Sequence, residues 1–97
     1  MSVNKIDYEV LENSKTVYSN QATALDNIIT TLNSTNSELA NGWTNQTATA
    51  FLERYENEYK VQLQNIRDAI QSISDYIGTY SANRQQEDAD SAGAISG

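Results

Sequence analysis

The second half of the chain carries an apolar repeat that strongly limits what the chain can fold into. Between residues 52 and 80, nine apolar or aromatic residues form one line in which the spacings are 3, 4, 4, 3, 4, 3, 4 and 3. The residues are Leu52, Tyr55, Tyr59, Leu63, Ile66, Ile70, Ile73, Ile77 and Tyr80. This spacing is typical of a coiled-coil seam. The chain also has no Pro, the residue that breaks helices most strongly, so the pattern predicts one helix over about residues 46–84.

The first half of the chain carries a second apolar stripe at helical spacing. Five residues recur every seven positions, and Ile28 lies one turn along from two of them. The five are Leu11, Tyr18, Leu25, Leu32 and Leu39. Ser14 and Gln21 precede Ile28 at the same seven-residue spacing, and both are polar, so the stripe has fewer apolar residues near its start. The pattern predicts a helix over about residues 6–40.

Two helices joined by a short turn must run antiparallel as a hairpin. The predicted unit is therefore an all-α helix–turn–helix hairpin over residues 1–84, with the turn at residues 41–45. A hairpin of two helices leaves part of each apolar seam exposed to water, because no third element covers it. We therefore expect two hairpins to pair as a dimer and form a four-helix bundle. The two stripes are the candidate surfaces for packing between helices and for the dimer seam. Spacing alone does not say which residues face the other helix of the same hairpin and which face the second hairpin.

Residues 39–51, which include the turn, hold the only Trp and the only Phe of the chain. Gly42 lies where the first helix is expected to end, because glycine readily adopts the left-handed backbone geometry that often ends a helix. Thr44 or Asn45 can cap the next helix through a side-chain oxygen. Trp43 is then expected at the tip, where it can pack on Phe51 and cover the end of the seam. Either this packing or a contact with a partner explains Trp43, and the two roles are compatible.

Composition argues against several classes of function. The formal charge of −7 disfavours nucleic acids and anionic membranes, which attract clustered Lys and Arg. No segment approaches the roughly 18 apolar residues of a membrane span, so we expect no stable membrane insertion. The chain has no His and no Cys, and it lacks a glycine-rich phosphate loop. We therefore expect a protein that is not an enzyme, with no catalytic residue, no metal site and no cofactor.

The ends of the chain carry two further expectations. Residues 85–97 are polar, acidic and rich in Ser, Ala and Gly, which predicts a flexible acidic tail. The first residues lack the apolar core of a secretory signal peptide. The sequence is therefore expected to be made in the cytoplasm without a Sec signal.

The length, the two helices and the central turn together resemble the WXG100 family, the ESAT-6-like proteins. The family's W-x-G motif is matched here by Trp43, Thr44 and Asn45, and Ala50 and Phe51 follow where the family usually has a small residue and an aromatic one. The resemblance covers nearly the whole chain. Asn45 stands where the family has Gly, and Asn tolerates a strained backbone or caps a helix.

The resemblance implies a small protein exported by, or acting within, a bacterial type VII (Esx/Ess) secretion system. It implies a homodimer, or a heterodimer with a related hairpin protein or with the N-terminal domain of a toxin, together with a secretion ATPase of the FtsK/SpoIIIE type. It also implies secretion without a Sec signal.

Many substrates of this pathway carry a Y-x-x-x-[DE] signal after the second helix, and this chain does not: its only match runs from Tyr8 to Glu12. A partner chain that supplies the signal would make this protein a helper or targeting subunit. The alternative is a cytosolic coiled-coil adaptor with no role in secretion.

Overall fold

The protein is a long antiparallel helical hairpin in the computed structural model, which describes residues 5–96. Helix α1 spans Tyr8–Gly42, and the second arm consists of helix α2, Gln46–Arg54, a π-helical segment, Tyr55–Tyr59, and helix α3, Lys60–Ser96. Residues 5–96 contain no strand. The predicted all-α hairpin is confirmed.

The first helix begins and ends close to the predicted positions. Asp7 caps its start, because its carboxylate accepts a 3.2 Å hydrogen bond from the backbone N–H of Val10. Its end differs from the expectation, since Gly42 is itself helical and no described glycine has a positive φ. The left-handed geometry expected at Gly42 is therefore wrong. Instead Trp43 leaves the helix in an extended conformation, φ −137° and ψ 97°, and its N–H donates to the Leu39 carbonyl at 2.8 Å.

The second arm differs from the simple helix that the spacing predicts. In the π-helical segment the backbone N–H of Lys60 bonds the Tyr55 carbonyl five residues back, instead of the usual four. The turn therefore contains one extra residue. Relative to an uninterrupted α-helix, this residue rotates the side chains that follow by about 100° around the helix axis. The arm also continues beyond residue 84, to Ser96, through residues that favour helix, such as Gln85, Gln86 and Ala89.

The predicted flexibility of residues 85–97 stays a prediction, and Gly97 lies outside the described residues.

The two arms approach closely because small residues line their contact. Among residues 5–90, whose burial the structure describes, the buried positions are one aliphatic residue, one aromatic residue and four small ones, namely Ile29, Tyr55, Ala22, Ala48, Ser74 and Ser81. Gly78 belongs to the same contact, since a Cβ atom added there would lie 3.0 Å from the Lys15 side chain. The hairpin measures 75 × 23 × 20 Å. So thin a molecule buries few large apolar side chains and leaves many of them at the surface.

Candidate interaction surface along one face and at the turn

The turn is built around Trp43 and Phe51. Trp43 is half-buried, and its ring centroid lies 6.0 Å from that of Phe51 with the planes inclined at 41°. This is a favourable distance for an aromatic pair. Because Trp43 is the first residue after α1 and Phe51 belongs to α2, the pair fixes the angle at which the chain reverses. The expected packing of the two rings is present.

Asn45 provides the cap of the second arm. Its Oδ1 atom accepts a 2.8 Å hydrogen bond from the backbone N–H of Ala48, which is the usual arrangement at a helix start. Its φ of −160° and ψ of 179° are ordinary extended values that any residue adopts. Asn45 therefore acts here through its capping side chain, and the backbone at this position is not strained.

An open cleft of about 610 Å³ lies beside the turn. Trp43, Asn45 and Leu52 line it, so the indole borders a space that a partner could enter. The cleft carries one acidic side chain, Glu53. Trp43 is thus both an internal packing residue and part of an accessible surface.

The structure divides the predicted seam into two groups. The first group is buried or half-buried within the hairpin and consists of Leu11, Leu25, Leu32, Leu39, Leu52, Tyr55, Leu63, Ile70 and Ile77. The second group is 38–50% exposed and consists of Tyr18, Ile28, Tyr59, Ile66, Ile73 and Tyr80. Val10 and Val17, at 55% and 56%, are more exposed still.

The π-helical segment explains why part of the seam lies outside. Before it, Leu52 and Tyr55 face α1. After it, Leu63, Ile70 and Ile77 still lie inward, but the other inward line moves by one residue. Arg67, Ser74 and Ser81 thus take inward positions next to Ile66, Ile73 and Tyr80, which are displaced to the flank. The spacing of apolar residues gave no sign of this shift. The polar residues at positions 60, 67, 74 and 81, themselves seven apart, are the signal that could have revealed it.

The displaced residues lie on one side of the hairpin, together with exposed residues of α1. Tyr80 borders a hollow of about 400 Å³ with Val10 and Leu11, and Tyr59 and Ile66 border another with Leu32. Helical periodicity then places the remaining members, because positions 7 or 18 residues apart lie on nearly the same side. We call this surface the apolar face; it comprises Val10, Val17, Ile28, Tyr59, Ile66, Ile73 and Tyr80.

Near the tip, the apolar face contains a groove of about 360 Å³ with polar atoms in its wall. Tyr55 and Asn36 both line it, between Leu32 and Leu63. The hydroxyl of Tyr55 and the Nδ2 atom of Asn36 are buried and have no hydrogen-bond partner among the residues that the structure describes. Unpaired buried polar atoms are uncommon in proteins, and these two atoms lie beneath the surface of the groove, out of contact with solvent.

The opposite end of the hairpin is held by polar contacts. The Tyr8 hydroxyl donates to the Asp88 carboxylate, and this bond, as its largest cause, raises the pKa of Tyr8 above the ordinary tyrosine value. Glu12, the acidic residue of the Tyr8 match, is not the partner in this bond. Midway along the hairpin, Arg67 Nε lies 3.0 Å from the Asp26 carboxylate, and this bond raises the pKa of Arg67.

In a comparison with protein families, residues 4–90 match the family described as "WXG100: Proteins of 100 residues with WXG". The curated proteins and the solved structures gave no match. In the described part of the chain, no helix is both long enough and apolar enough to cross a membrane.

Proposed function

The chain belongs to the WXG100 family, a family of small non-enzymatic proteins related to type VII secretion, and we propose that it is exported by such a system as one half of a dimer. Its partner is a second hairpin, either another copy or a related protein or toxin domain that it helps to target. The protein carries out no reaction. Its activity is to bind a partner and to be recognised by the secretion ATPase.

The observation that carries this proposal is the apolar face. Its members span the hairpin from Tyr59 near the tip to Tyr80 near the open end, and each is 40–56% exposed. A continuous apolar surface of this kind is unusual on a protein that stays monomeric and marks a site of protein–protein contact. Docking a second hairpin would complete a four-helix bundle around these residues.

The turn supplies the second surface. Trp43 borders an open cleft at the end of the hairpin, away from most of the apolar face. A dimer formed through that face would leave the Trp43 cleft accessible. We therefore assign the apolar face to the dimer partner and the Trp43 cleft to recognition during export.

The experiment that tests export compares the amount of this protein in culture supernatant from its native host with and without the FtsK/SpoIIIE-type ATPase. A cytosolic protein serves as the control for lysis. We expect the extracellular protein to disappear without the ATPase. An unchanged amount, or none in either strain, would contradict the proposal and favour the cytosolic adaptor.

Trp43→Ala tests the role of the turn in the same assay. Because Trp43 lies outside both helices and contacts Phe51 at the tip, its removal should leave most of the helix intact. We expect export to be lost while far-ultraviolet circular dichroism stays close to that of the natural protein. Normal export of a folded Trp43→Ala protein would contradict the assignment of the turn.

A further inference from the structure

The cleft beside the turn combines an aromatic wall with one carboxylate. Trp43 lines it from the turn and Glu53 lines it from α2. Gln46, Thr49 and Glu53 lie three or four residues apart, so they share one face of α2. Gln46 and Glu53 are separated by two helical turns, about 10 Å along the axis. With a volume of about 610 Å³, the cleft has room for one long side chain between the indole and the carboxylate.

Glu53 has no counter-ion within the hairpin. The nearby carboxylates of Glu56 and Glu58 each lie 3.3 Å from a basic side chain, that of Lys60 and that of Arg54. In the part of the chain that the structure describes, no Lys or Arg forms an ion pair with Glu53. Its side chain is exposed, so the carboxylate is available to a cation from another molecule.

The sequence around the tip contains no basic residue. Residues 16–53 carry three acidic side chains and no Lys or Arg. The last turn of α1 has no basic residue either, although the carbonyl groups at a helix end favour a cation. The positive end of α2 lies beside that helix end and offsets its partial charge. The formal charges of Glu38 and Glu53 therefore set the sign of the local field, which attracts a cation.

On the basis of the proposed export, we propose that the Trp43 cleft binds an arginine side chain of the protein that recognises the hairpin during export. A guanidinium is planar, so it can stack on an indole ring and donate two parallel hydrogen bonds to a carboxylate. The ammonium group of lysine is more strongly hydrated and cannot form this paired contact. Trp43 and Glu53 offer the ring and the carboxylate to the same side chain, so the chemistry of the cleft selects arginine.

The fluorescence of Trp43 tests this binding directly, because Trp43 is the only Trp of the chain. The full-length protein would be titrated with N-acetyl-arginine amide and, separately, with the citrulline analogue, which has nearly the same shape and no charge. We expect a saturable change with the arginine probe at about millimolar concentration, as for a single side chain, and none with the citrulline probe. Equal responses to the two probes, or no saturable response to arginine, would overturn the proposal.

Glu53→Gln removes the ionic half of the proposed contact. Because Glu53 is exposed, the variant should keep its helical circular dichroism signal, and the dissociation constant of the arginine probe should rise roughly fivefold. Glu9→Gln is the matched control, since it makes the same change in net charge at an exposed residue near the opposite end of the hairpin. It should leave the constant unchanged. Equal effects of the two variants would show that the probe senses only net charge, which would overturn the arginine site.

The same two variants test whether the arginine site serves export. In the native host, we expect Glu53→Gln to lower the amount of extracellular protein and Glu9→Gln to leave it unchanged. Normal export of Glu53→Gln would overturn the assignment of the arginine to the protein that recognises the hairpin during export.

The inference and the proposed function can fail separately. An exported chain whose Trp43 fluorescence does not respond to the arginine probe would contradict the arginine site and leave the export proposal intact. A chain that binds the probe through Glu53 but is not exported would contradict the proposed export, and with it the source of the arginine, and leave the binding site itself intact.

Discussion

The Ser74 hydroxyl donates a 2.9 Å hydrogen bond to the backbone carbonyl of Lys15, 59 residues earlier in the chain. Both residues lie inside long helices, so the bond joins a side chain of one arm to the main chain of the other. Only a short side chain permits this approach, and Gly78, one turn further along α3, lies against the Lys15 side chain. The hairpin is therefore held by small residues at close range as well as by its leucines and isoleucines.

Removing the Ser74 hydroxyl should weaken the hairpin measurably. Ser74 is 1% exposed, and we expect Ser74→Ala to lower the free energy of unfolding by about 1 kcal/mol, the usual net value of such a bond. Urea denaturation followed by circular dichroism measures it. Thr23→Ala is the control, because the Thr23 hydroxyl donates only to Ser19 of its own helix and is exposed. Equal losses in the two variants would show that the Ser74 bond contributes nothing across the arms.

Asn45 should matter as a helix cap. Its side chain accepts the hydrogen bond from Ala48, and its backbone is extended with no positive φ. We expect Asn45→Ala to cost about 1 kcal/mol of stability and Asn45→Gly, which restores the family's residue, only a few tenths. Asn45→Asp, which keeps the accepting oxygen, should be close to neutral. Thermal unfolding of the three variants would test this order, and a stabilising Asn45→Ala would contradict it.

Much of the architecture could be predicted from spacing, because heptad patterns and the absence of Pro point directly to two long helices. The turn could be predicted equally well, since Trp43, Asn45 and Phe51 have the side chains that a tight aromatic hairpin tip requires. The end of α1 was harder to predict. Gly42 suggested left-handed geometry, but Trp43 simply leaves the helix in an extended conformation.

The π-helical segment could not be predicted from apolar spacing. The spacing of three and four residues through Tyr55, Tyr59 and Leu63 fits an uninterrupted α-helix. A π-helical turn changes which of these side chains face α1, but it does not change their spacing in the sequence. Only the packing against α1 shows that the inward positions move to Arg67, Ser74 and Ser81. The division between the interior of the hairpin and the apolar face follows from this shift, so it too required the structure.

A charge placed on the apolar face should prevent dimer formation without unfolding the hairpin. Ile66 is 50% exposed, so Ile66→Glu leaves the carboxylate hydrated in a single hairpin. In the proposed dimer the same carboxylate would be buried without a partner, at a high cost. We expect light scattering to show loss of the dimer while the helical circular dichroism signal is retained. Gln64→Glu, an exposed change of the same charge outside the face, is the control, and equal behaviour of the two variants would contradict the assignment of the face.

The bond between Tyr8 and Asp88 should give the protein a response to high pH. The bond holds the Tyr8 phenol in its protonated form, so the pKa of Tyr8 in the folded chain lies above the value of about 10 for an unfolded chain. Its contribution to stability is therefore complete below about pH 10 and is lost as the pH rises through the raised pKa. Near neutral pH, we expect the contact between the start of α1 and the end of α3 to be intact.

Ultraviolet titration of tyrosinate measures this effect. The chain has six tyrosines, and we expect the natural protein to show a late ionisation phase on the alkaline side that is missing in Tyr8→Phe. Asp88→Asn should move that phase to lower pH, because the neutral amide no longer repels the phenolate. Tyr76→Phe, which leaves the bond in place, should keep it. A late phase that persists in Tyr8→Phe would show that a different tyrosine carries the raised pKa and that the Tyr8 contact does not hold the two ends together.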